Sequence, residues 1–199
     1  RGRTRFQKAH EFDSESRHLV LLCRNEEGYR NLSYMVSQAF LEGFYIKPRI
    51  DMDLLREHCG GLIACSACLA GELPRLLLAG EYDQAKAVAL EMQSLFGPDG
   101  YYLELQDHGI PSQKQVNAGL RRIHEETGIP LIATNDAHYL RREDAEMQDI
   151  LMCIQMGKGA EHYIRSGRAK EITREQALEI IKRAEENGLM HDMVNIEEP

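Results

Sequence analysis

The sequence predicts an α/β fold in which a parallel β-sheet is covered by helices. Short runs that are apolar throughout alternate along the chain with segments of helical periodicity. Strands buried by helices on both faces have this continuous apolar character, because neither face meets water. Four such runs begin near residues 18, 61, 101 and 130, and each precedes a helical segment, which indicates four βα units.

The predicted strands are short and are bounded by polar or turn-forming residues. They cover residues 18–23, 61–67 and 101–106, and a fourth run starts at Pro130 and leads into Thr134. Helices are predicted over residues 31–43, 51–58, 72–78, 83–96, 112–127 and 142–156. Four βα units are fewer than a closed barrel needs, so we expect part of the domain to lie outside this sequence.

Several helix boundaries and faces follow from local signals. We expect Ser112 and Gln115 to form a capping box at the start of the fifth helix, Gly128 to end that helix, and Gly43 to cap the first helix. In the first helix, apolar residues recur at the spacing of one buried face: Leu32, Met35, Val36, Ala39 and Phe40.

Composition excludes several classes of protein. The chain has 199 residues, 43% of them hydrophobic and 28% charged, and its formal net charge is −8. An acidic chain lacks the overall basic footprint of a duplex-binding module, so nucleic-acid contact must be local or made by a partner domain. No apolar run approaches ~18 residues, and no apolar segment follows the basic N-terminus, so neither a membrane span nor a secretory signal is predicted.

Cysteine usage points to a reducing compartment. The five cysteines are odd in number and lie mostly in apolar segments, which favours free thiols in a cytoplasmic protein. Cys65 and Cys68 form one C-x-x-C, without the second that a zinc ribbon would need. Strand alternation places Cys65 on the face opposite Cys68, so we expect Cys65 to lie in the core.

Metal-binding residue types follow three of the four predicted strands. Cys68 follows the second strand, Asp107 and His108 follow the third, and Asp136 and His138 follow the fourth. In a parallel sheet the carboxyl ends of the strands gather at one edge, where ligands bind. Residues i and i+2 of an extended chain point to one side, so the D-x-H pair can present an oxygen and a nitrogen together. The alternative for each group is a solvated turn.

A set of linked motifs resembles a known family. The segments are H-L-V-L-L-C-R-N-E-E-G-Y-R-N-L, E-G-F-Y-I-K-P-R-I-D, G-L-I-A-C-S-A-C-L-A-G-E, Y-Y-L-E-L-Q-D-H-G-I-P and G-I-P-L-I-A-T-N-D-A-H-Y-L. In order and spacing they resemble the PHP (polymerase and histidinol phosphatase) domain of the bacterial DNA polymerase III alpha subunit. The resemblance runs from Arg1 to about Lys158 and implies a distorted (β/α)7 barrel of the PHP type, here incomplete.

The resemblance also implies a metal cluster. It maps four ligand positions onto this sequence: His18, Cys68, Asp136 and His138. Imidazole, thiolate and carboxylate donors suit Zn²⁺, with Mn²⁺ or Fe²⁺ as further candidates. With a complete cluster the family domain is a phosphoesterase, a 3′–5′ exonuclease, in which Asp136 and His138 would help to hold the metals. The family's H-x-H strand and the further aspartate, histidine and glutamate ligands have no counterpart in this sequence, because Arg1 starts after them.

Four further residues are candidates for substrate contact. Asp107 and His108 could reach a phosphate at the barrel mouth, although such a pair is more often a turn. Lys47 and Arg49 flank Pro48 and form the best local basic pair for a phosphodiester.

The predicted organisation is a partial PHP domain over residues 1–158 and a linker with an extra C-terminal helix over residues 159–199. Thr173 and Gln176 form a second predicted capping box there. The implied parent is a DNA-directed DNA polymerase whose palm aspartates are not in this chain. The implied partners are the rest of the alpha subunit, DNA through that subunit, and a proofreading exonuclease subunit. The alternatives are a non-catalytic structural or docking module and a stand-alone PHP phosphoesterase.

Overall fold

A computed structural model of the chain describes residues 4–9, 16–155, 173–176, 178, 179 and 182. Within these residues one sheet holds four strands in the order of the chain: β1 (Val20–Cys23), β2 (Leu62–Cys65), β3 (Tyr101–Leu105) and β4 (Leu131–Ala133). The helices are α1 (Glu26–Leu41), α2 (Met52–Glu57), α3 (Glu72–Leu78), α4 (Tyr82–Phe96), α5 (Pro111–Thr127) and α6 (Ala145–Gln155). The chain forms two compact units, Arg1–Asp136 and Ala137–Pro199. The predicted α/β class is confirmed, and the mostly parallel sheet with its helices is consistent with a PHP-type fold.

The direction of β1 corrects the prediction of a wholly parallel sheet. β2, β3 and β4 are parallel, but β1 pairs with β2 in antiparallel register, with Val20 opposite Cys65 and Cys23 opposite Leu62. Apolar periodicity reports burial and carries no information on strand direction. The N-terminal end of β1 therefore lies at the same edge of the sheet as the carboxyl ends of the other three strands.

The core of the first unit lies between the sheet and its helices. β1 is the outermost strand on its side, and its Val20 and Leu22 are exposed, so this strand is less buried than its apolar sequence predicts. The largest side chains that are almost fully buried come from helices, strands and the turn after α5: Tyr101, Met35, Leu55, Leu103, Leu120, Ile123, Ile129 and Pro74.

Helix α1 begins earlier than its apolar spacing predicts. It starts at Glu26, because the side chain of Asn25 accepts a hydrogen bond from the backbone N–H of Gly28 at 2.9 Å and so caps the helix. Its C-cap is Glu42, so the prediction of Gly43 as the cap is wrong. The predicted face is correct for the buried Met35 and Ala39 and wrong for Val36 and Phe40, which are 49% and 59% exposed.

Helix α5 begins at a proline rather than at a capping box. Pro111 occupies the first turn, Ile110 is the N-cap, and no side chain caps the helix. The predicted box of Ser112 and Gln115 is wrong, and the Gln115 side chain donates instead to the carbonyl of Leu77 at 3.3 Å. The predicted stop is confirmed, because Gly128 adopts a left-handed conformation with φ 74°.

In the second unit the predicted helix 142–156 divides into a 3₁₀ turn, Arg142–Asp144, and α6. The predicted capping box is confirmed: the N–H of Thr173 donates to Gln176 Oε1 at 2.8 Å, and the N–H of Gln176 donates to Thr173 Oγ1 at 3.2 Å. Residues 174–176, 178, 179 and 182 of the predicted C-terminal helix are helical, and the rest of the predictions for residues 159–199 lie outside the described residues. Among the described residues, none of the helices combines the length and the apolarity that crossing a membrane requires.

The N-terminal segment is joined to α2 by a charged contact. Asp51 caps α2 by accepting from the N–H of Leu54 at 3.0 Å, and its carboxylate also accepts from the backbone N–H of Arg5 at 3.0 Å. The Arg5 guanidinium lies 2.9 Å from Asp51 Oδ1, and both side chains are largely buried. Burial alone would raise the pKa of Asp51, but these hydrogen bonds and the arginine charge outweigh it and lower the pKa.

Asp51→Ala is expected to lower the free energy of unfolding by about 2–3 kcal/mol, because it removes a helix cap and leaves Arg5 without its main partner. Asp51→Asn retains the capping oxygen and should cost less. Because the folded-state pKa lies below the unfolded one, the stabilisation is present above the unfolded pKa of about 4 and is lost as the pH falls through the folded one. Urea unfolding between pH 6 and pH 2.5 should show this acid-dependent loss in the wild type and a smaller one in Asp51→Asn; parallel slopes would contradict it.

Candidate metal site

His18 and Cys68 meet at the edge where the parallel strands end. His18 precedes β1, and its backbone N–H donates to the carbonyl of Ala70 at 3.1 Å, which joins it to the turn after β2. Cys68 lies in that turn, and its Sγ is 3.5 Å from His18 Nδ1. In the sequence His18 opens its strand, whereas the other predicted ligands follow theirs, and the antiparallel direction of β1 brings His18 to the same edge.

The distance between these two donors fits one metal ion. Two ligands of a tetrahedral Zn²⁺, with Zn–N of about 2.1 Å and Zn–S of about 2.3 Å, lie about 3.6 Å apart. The separation of His18 Nδ1 and Cys68 Sγ is 3.5 Å. A thiol sulfur and an imidazole nitrogen are also the donor types that zinc prefers. The pair therefore fits zinc in both geometry and chemistry.

The turn that carries Cys68 is tightly constrained. Ala67 adopts a left-handed conformation with φ 64°, which is uncommon for a residue with a Cβ. The N–H of Gly71 donates to the carbonyl of Cys68 at 2.8 Å and closes the turn. A Cβ on Gly71 would lie 2.3 Å from the carbonyl oxygen of Ser66, so only glycine fits there.

The two cysteines of the C-x-x-C have different environments. Cys65 is 3% exposed, which confirms its prediction as a core residue. Burial, and secondarily the negative charge of Glu104, raise the pKa of the Cys65 thiol to about 11, so this thiol stays protonated near neutral pH. Cys68 is half-buried and faces His18. Of the pair, Cys68 is the one placed to bind a metal.

Asp136 follows β4 and lies beside His108. Its backbone N–H is 3.4 Å from His108 Nε2. The His108 ring is oriented by Gln113, a buried residue of α5 that no sequence motif singles out. Gln113 Nε2 lies 2.8 Å from His108 Nδ1, and Gln113 Oε1 accepts from the backbone N–H of His108 at 2.8 Å. Asp107 Oδ1 accepts from the N–H of Gly109 at 3.0 Å, so Asp107 forms a turn. A phosphate contact by Asp107 or His108 stays a prediction.

The structure places the four predicted ligands unequally. His18 and Cys68 are in contact, Asp136 is the last residue of the first unit, and His138 belongs to the second unit, Ala137–Pro199. Among the described residues no three His, Cys, Asp or Glu side chains form a group that could hold a metal ion. The contact of His18 with Cys68 thus supplies two donors, and the full ligand set stays a prediction.

Arg49, a predicted substrate contact, also has a structural role. Its Nε donates to the carbonyl of Gly43 at 2.9 Å, and its Nη2 donates to the carbonyls of Arg5 and Gln7, each at 3.0 Å. These bonds hold the N-terminal segment against the loop after α1. Lys47 is exposed, and substrate binding by Lys47 and Arg49 stays a prediction.

Sequence reasoning also gave no role to Glu104, a buried acid in the middle of the apolar strand Y-Y-L-E-L. Its carboxylate contacts the segments that follow β2 and β4. A charged residue inside an otherwise apolar strand was the signal, because burial of an acid requires partners.

Comparison with known proteins finds one family model and several relatives that match a large part of this chain. A sequence model of the family described as "PHP domain" matches residues 4–108. DNA polymerase III subunit alpha of Treponema pallidum is 50% identical over 137 residues, 69% of this chain and 12% of the relative. The subunits of Borreliella burgdorferi and Thermus aquaticus are each 48% identical, over 76% and 69% of this chain and 13% and 11% of the relatives. The chain thus spans about an eighth of the length of these curated relatives. Because the family match covers more than half of its residues, the chain belongs to the PHP domain family.

Proposed function

We propose that this chain serves DNA replication as the PHP portion of a bacterial polymerase alpha subunit, and that His18 and Cys68 bind a divalent metal in it. The contact between His18 Nδ1 and Cys68 Sγ, at the distance expected for two ligands of one zinc ion, is the observation that carries the metal proposal. Similarity to three polymerase alpha subunits, each at least 48% identical, supports the replication role.

The proposed site lies at the edge of the sheet where the strand ends gather. His18 and Cys68 supply nitrogen and sulfur, and Asp136, which follows β4, is proposed as a carboxylate ligand. His138, in the second unit, stays a ligand predicted from the sequence alone. PHP domains generally depend on metals, and this donor set favours Zn²⁺, with Mn²⁺ or Fe²⁺ as alternatives. A metal bound there would supply Lewis-acid activation of water for hydrolysis of a phosphoester, as in a 3′–5′ exonuclease.

The chain's own residues limit how a nucleic acid would be held. The formal net charge of −8 disfavours tight binding of DNA by this chain alone. His108, whose ring contacts Gln113 and the backbone of Asp136, is proposed to contact a phosphate. DNA is therefore proposed to reach this edge through the rest of the alpha subunit rather than through a basic surface of the PHP portion.

Metal binding by an Asp136→Ala variant tests this proposal. The chain is incubated with Zn²⁺ or Mn²⁺, dialysed and analysed for metal, and its activity on a DNA 3′ end is measured with added Mn²⁺. We expect the wild-type chain to bind at least about one metal ion. Asp136→Ala should bind the metal at least ten-fold more weakly. Asp107→Ala is the matched control, because that carboxylate forms a local turn, and it should retain the metal.

A second function, a non-catalytic module that stabilises the polymerase or docks a proofreading exonuclease subunit, is favoured by one observation. The formal net charge of −8 favours a docking role over direct binding of DNA by this chain. Wild-type chain that binds no metal and shows no nuclease activity would contradict the metal proposal and leave this structural role.

A further inference from the structure

Glu104 connects the two segments that carry proposed metal ligands. It lies in β3 and is 7% exposed. Its Oε2 accepts from the N–H of Ala67 at 2.9 Å, and its Oε1 accepts from the hydroxyl of Thr134 at 2.5 Å. The Nε2 of Gln106 also donates to Glu104 Oε1, at 3.4 Å. One carboxylate thus contacts the ends of β2 and β4, the two neighbours of β3.

Two of the hydrogen-bond partners of the Glu104 carboxylate lie close to proposed metal ligands in the chain. Ala67 directly precedes Cys68, and Thr134 lies two residues before Asp136. On the β2 side the connection is double, because the backbone N–H of Glu104 also donates to Ser66 Oγ at 2.8 Å. Burying a carboxylate is costly unless donors surround it, and these partners satisfy it.

The contact with Ala67 has a specific conformational effect. A non-glycine residue in the left-handed region costs about 1–2 kcal/mol, so the surroundings must hold it there. The bond from the Ala67 N–H to Glu104 acts at this residue, whose φ is 64°. The direction in which the chain leaves β2, and with it the position of Cys68 Sγ, follows from that conformation.

We propose that Glu104 is a positioning residue for the metal site, which orients the Cys68 turn and the Asp136 segment together by bridging Ala67 and Thr134. This inference rests on the proposed metal function and adds to it the group that sets the geometry of the ligands. Its proposed role is to position the ligands and not to bind the metal, since its oxygens accept hydrogen bonds from Ala67 and Thr134.

Cobalt binding by the full chain tests the inference, because a Co²⁺–thiolate bond gives a charge-transfer absorption band that reports a bound cysteine, here proposed to be Cys68. The variants are Glu104→Gln and Thr134→Val. An amide has one acceptor oxygen where the carboxylate has two, so Glu104→Gln cannot keep both bonds unchanged. Thr134→Val removes one donor and preserves the shape of the side chain.

We expect the wild type to show the band, Glu104→Gln to bind Co²⁺ about ten-fold more weakly with reduced band intensity, and Thr134→Val to bind it a few-fold more weakly. Leu120→Ala is the control for stability, because Leu120 is fully buried in the core and far from any proposed ligand in sequence. This control should melt earlier and still bind Co²⁺ as the wild type does. If Glu104→Gln does not fold, Thr134→Val decides the question.

The outcomes separate this inference from the function on which it rests. A wild type without the band overturns the metal proposal and this inference with it. A wild-type band that both variants reproduce with unchanged affinity overturns the positioning role alone. A loss in Leu120→Ala as large as that in Glu104→Gln would also overturn it, since stability rather than position would then explain the effect.

Discussion

Gly28→Ala is expected to lower the free energy of unfolding by about 3 kcal/mol or more, the range of severe packing defects. A Cβ on Gly28 would lie 1.9 Å from the carbonyl oxygen of Gly61, and both are backbone positions that cannot rotate away. Gly61 has φ 71°, and its own Cβ would lie 2.4 Å from the Gly28 nitrogen. The start of α1 and the start of β2 therefore approach as closely as two glycines allow.

Gly119→Ala is the matched control, because Gly119 also lies inside a helix. Its Cβ would meet the end of the Leu77 side chain at 2.7 Å, and that side chain can change rotamer. Replacing a helical glycine with alanine gains up to about 1 kcal/mol of helix propensity, so the net change should stay within about 1 kcal/mol. Urea unfolding followed by circular dichroism compares the two, and equal losses would contradict the close approach at Gly28.

His18→Ala and Cys68→Ser are each expected to weaken zinc binding by about a hundred-fold, measured by competition with a chelating dye. If both side chains bind one ion, the double variant should bind more tightly than the product of the two single effects predicts, because the second loss acts on a site that is already broken. The coupling follows from the 3.5 Å contact between the two donors.

Cys23→Ser provides the control for the cysteine variant, because Cys23 is an exposed thiol on β1 and not in the turn after β2. This variant should retain wild-type zinc affinity. Strictly independent losses in His18→Ala and Cys68→Ser, or a loss in Cys23→Ser equal to that in Cys68→Ser, would show that the two donors do not share an ion.

The sequence predicts the order of the elements because each depends on local information. Apolar runs and helical spacing identify all four described strands and the helices between them, and α3 lies at its predicted bounds, Glu72–Leu78. The direction of β1 depends instead on which strand it joins, and no local pattern encodes that choice. For the same reason the sequence could not show why His18, at the start of its strand, faces Cys68.

Burial of individual faces was harder to predict than helix position. The apolar stripe of α1 includes Val36 and Phe40, but periodicity specifies only that a face is apolar and not how much of it the neighbouring elements cover. Glu104 shows the reverse case. Its place in an apolar strand indicates burial, but only the folded structure brings the Ala67 N–H and the Thr134 hydroxyl to its carboxylate.

X-ray absorption of the zinc-loaded chain identifies the atoms bound to the metal and so tests whether His18 and Cys68 share one ion. We expect one sulfur at about 2.3 Å and at least one imidazole nitrogen at about 2.0–2.1 Å, with the sulfur absent in Cys68→Ser. A shell of oxygen and nitrogen alone in the wild type, or a sulfur contribution that persists in Cys68→Ser, would contradict it.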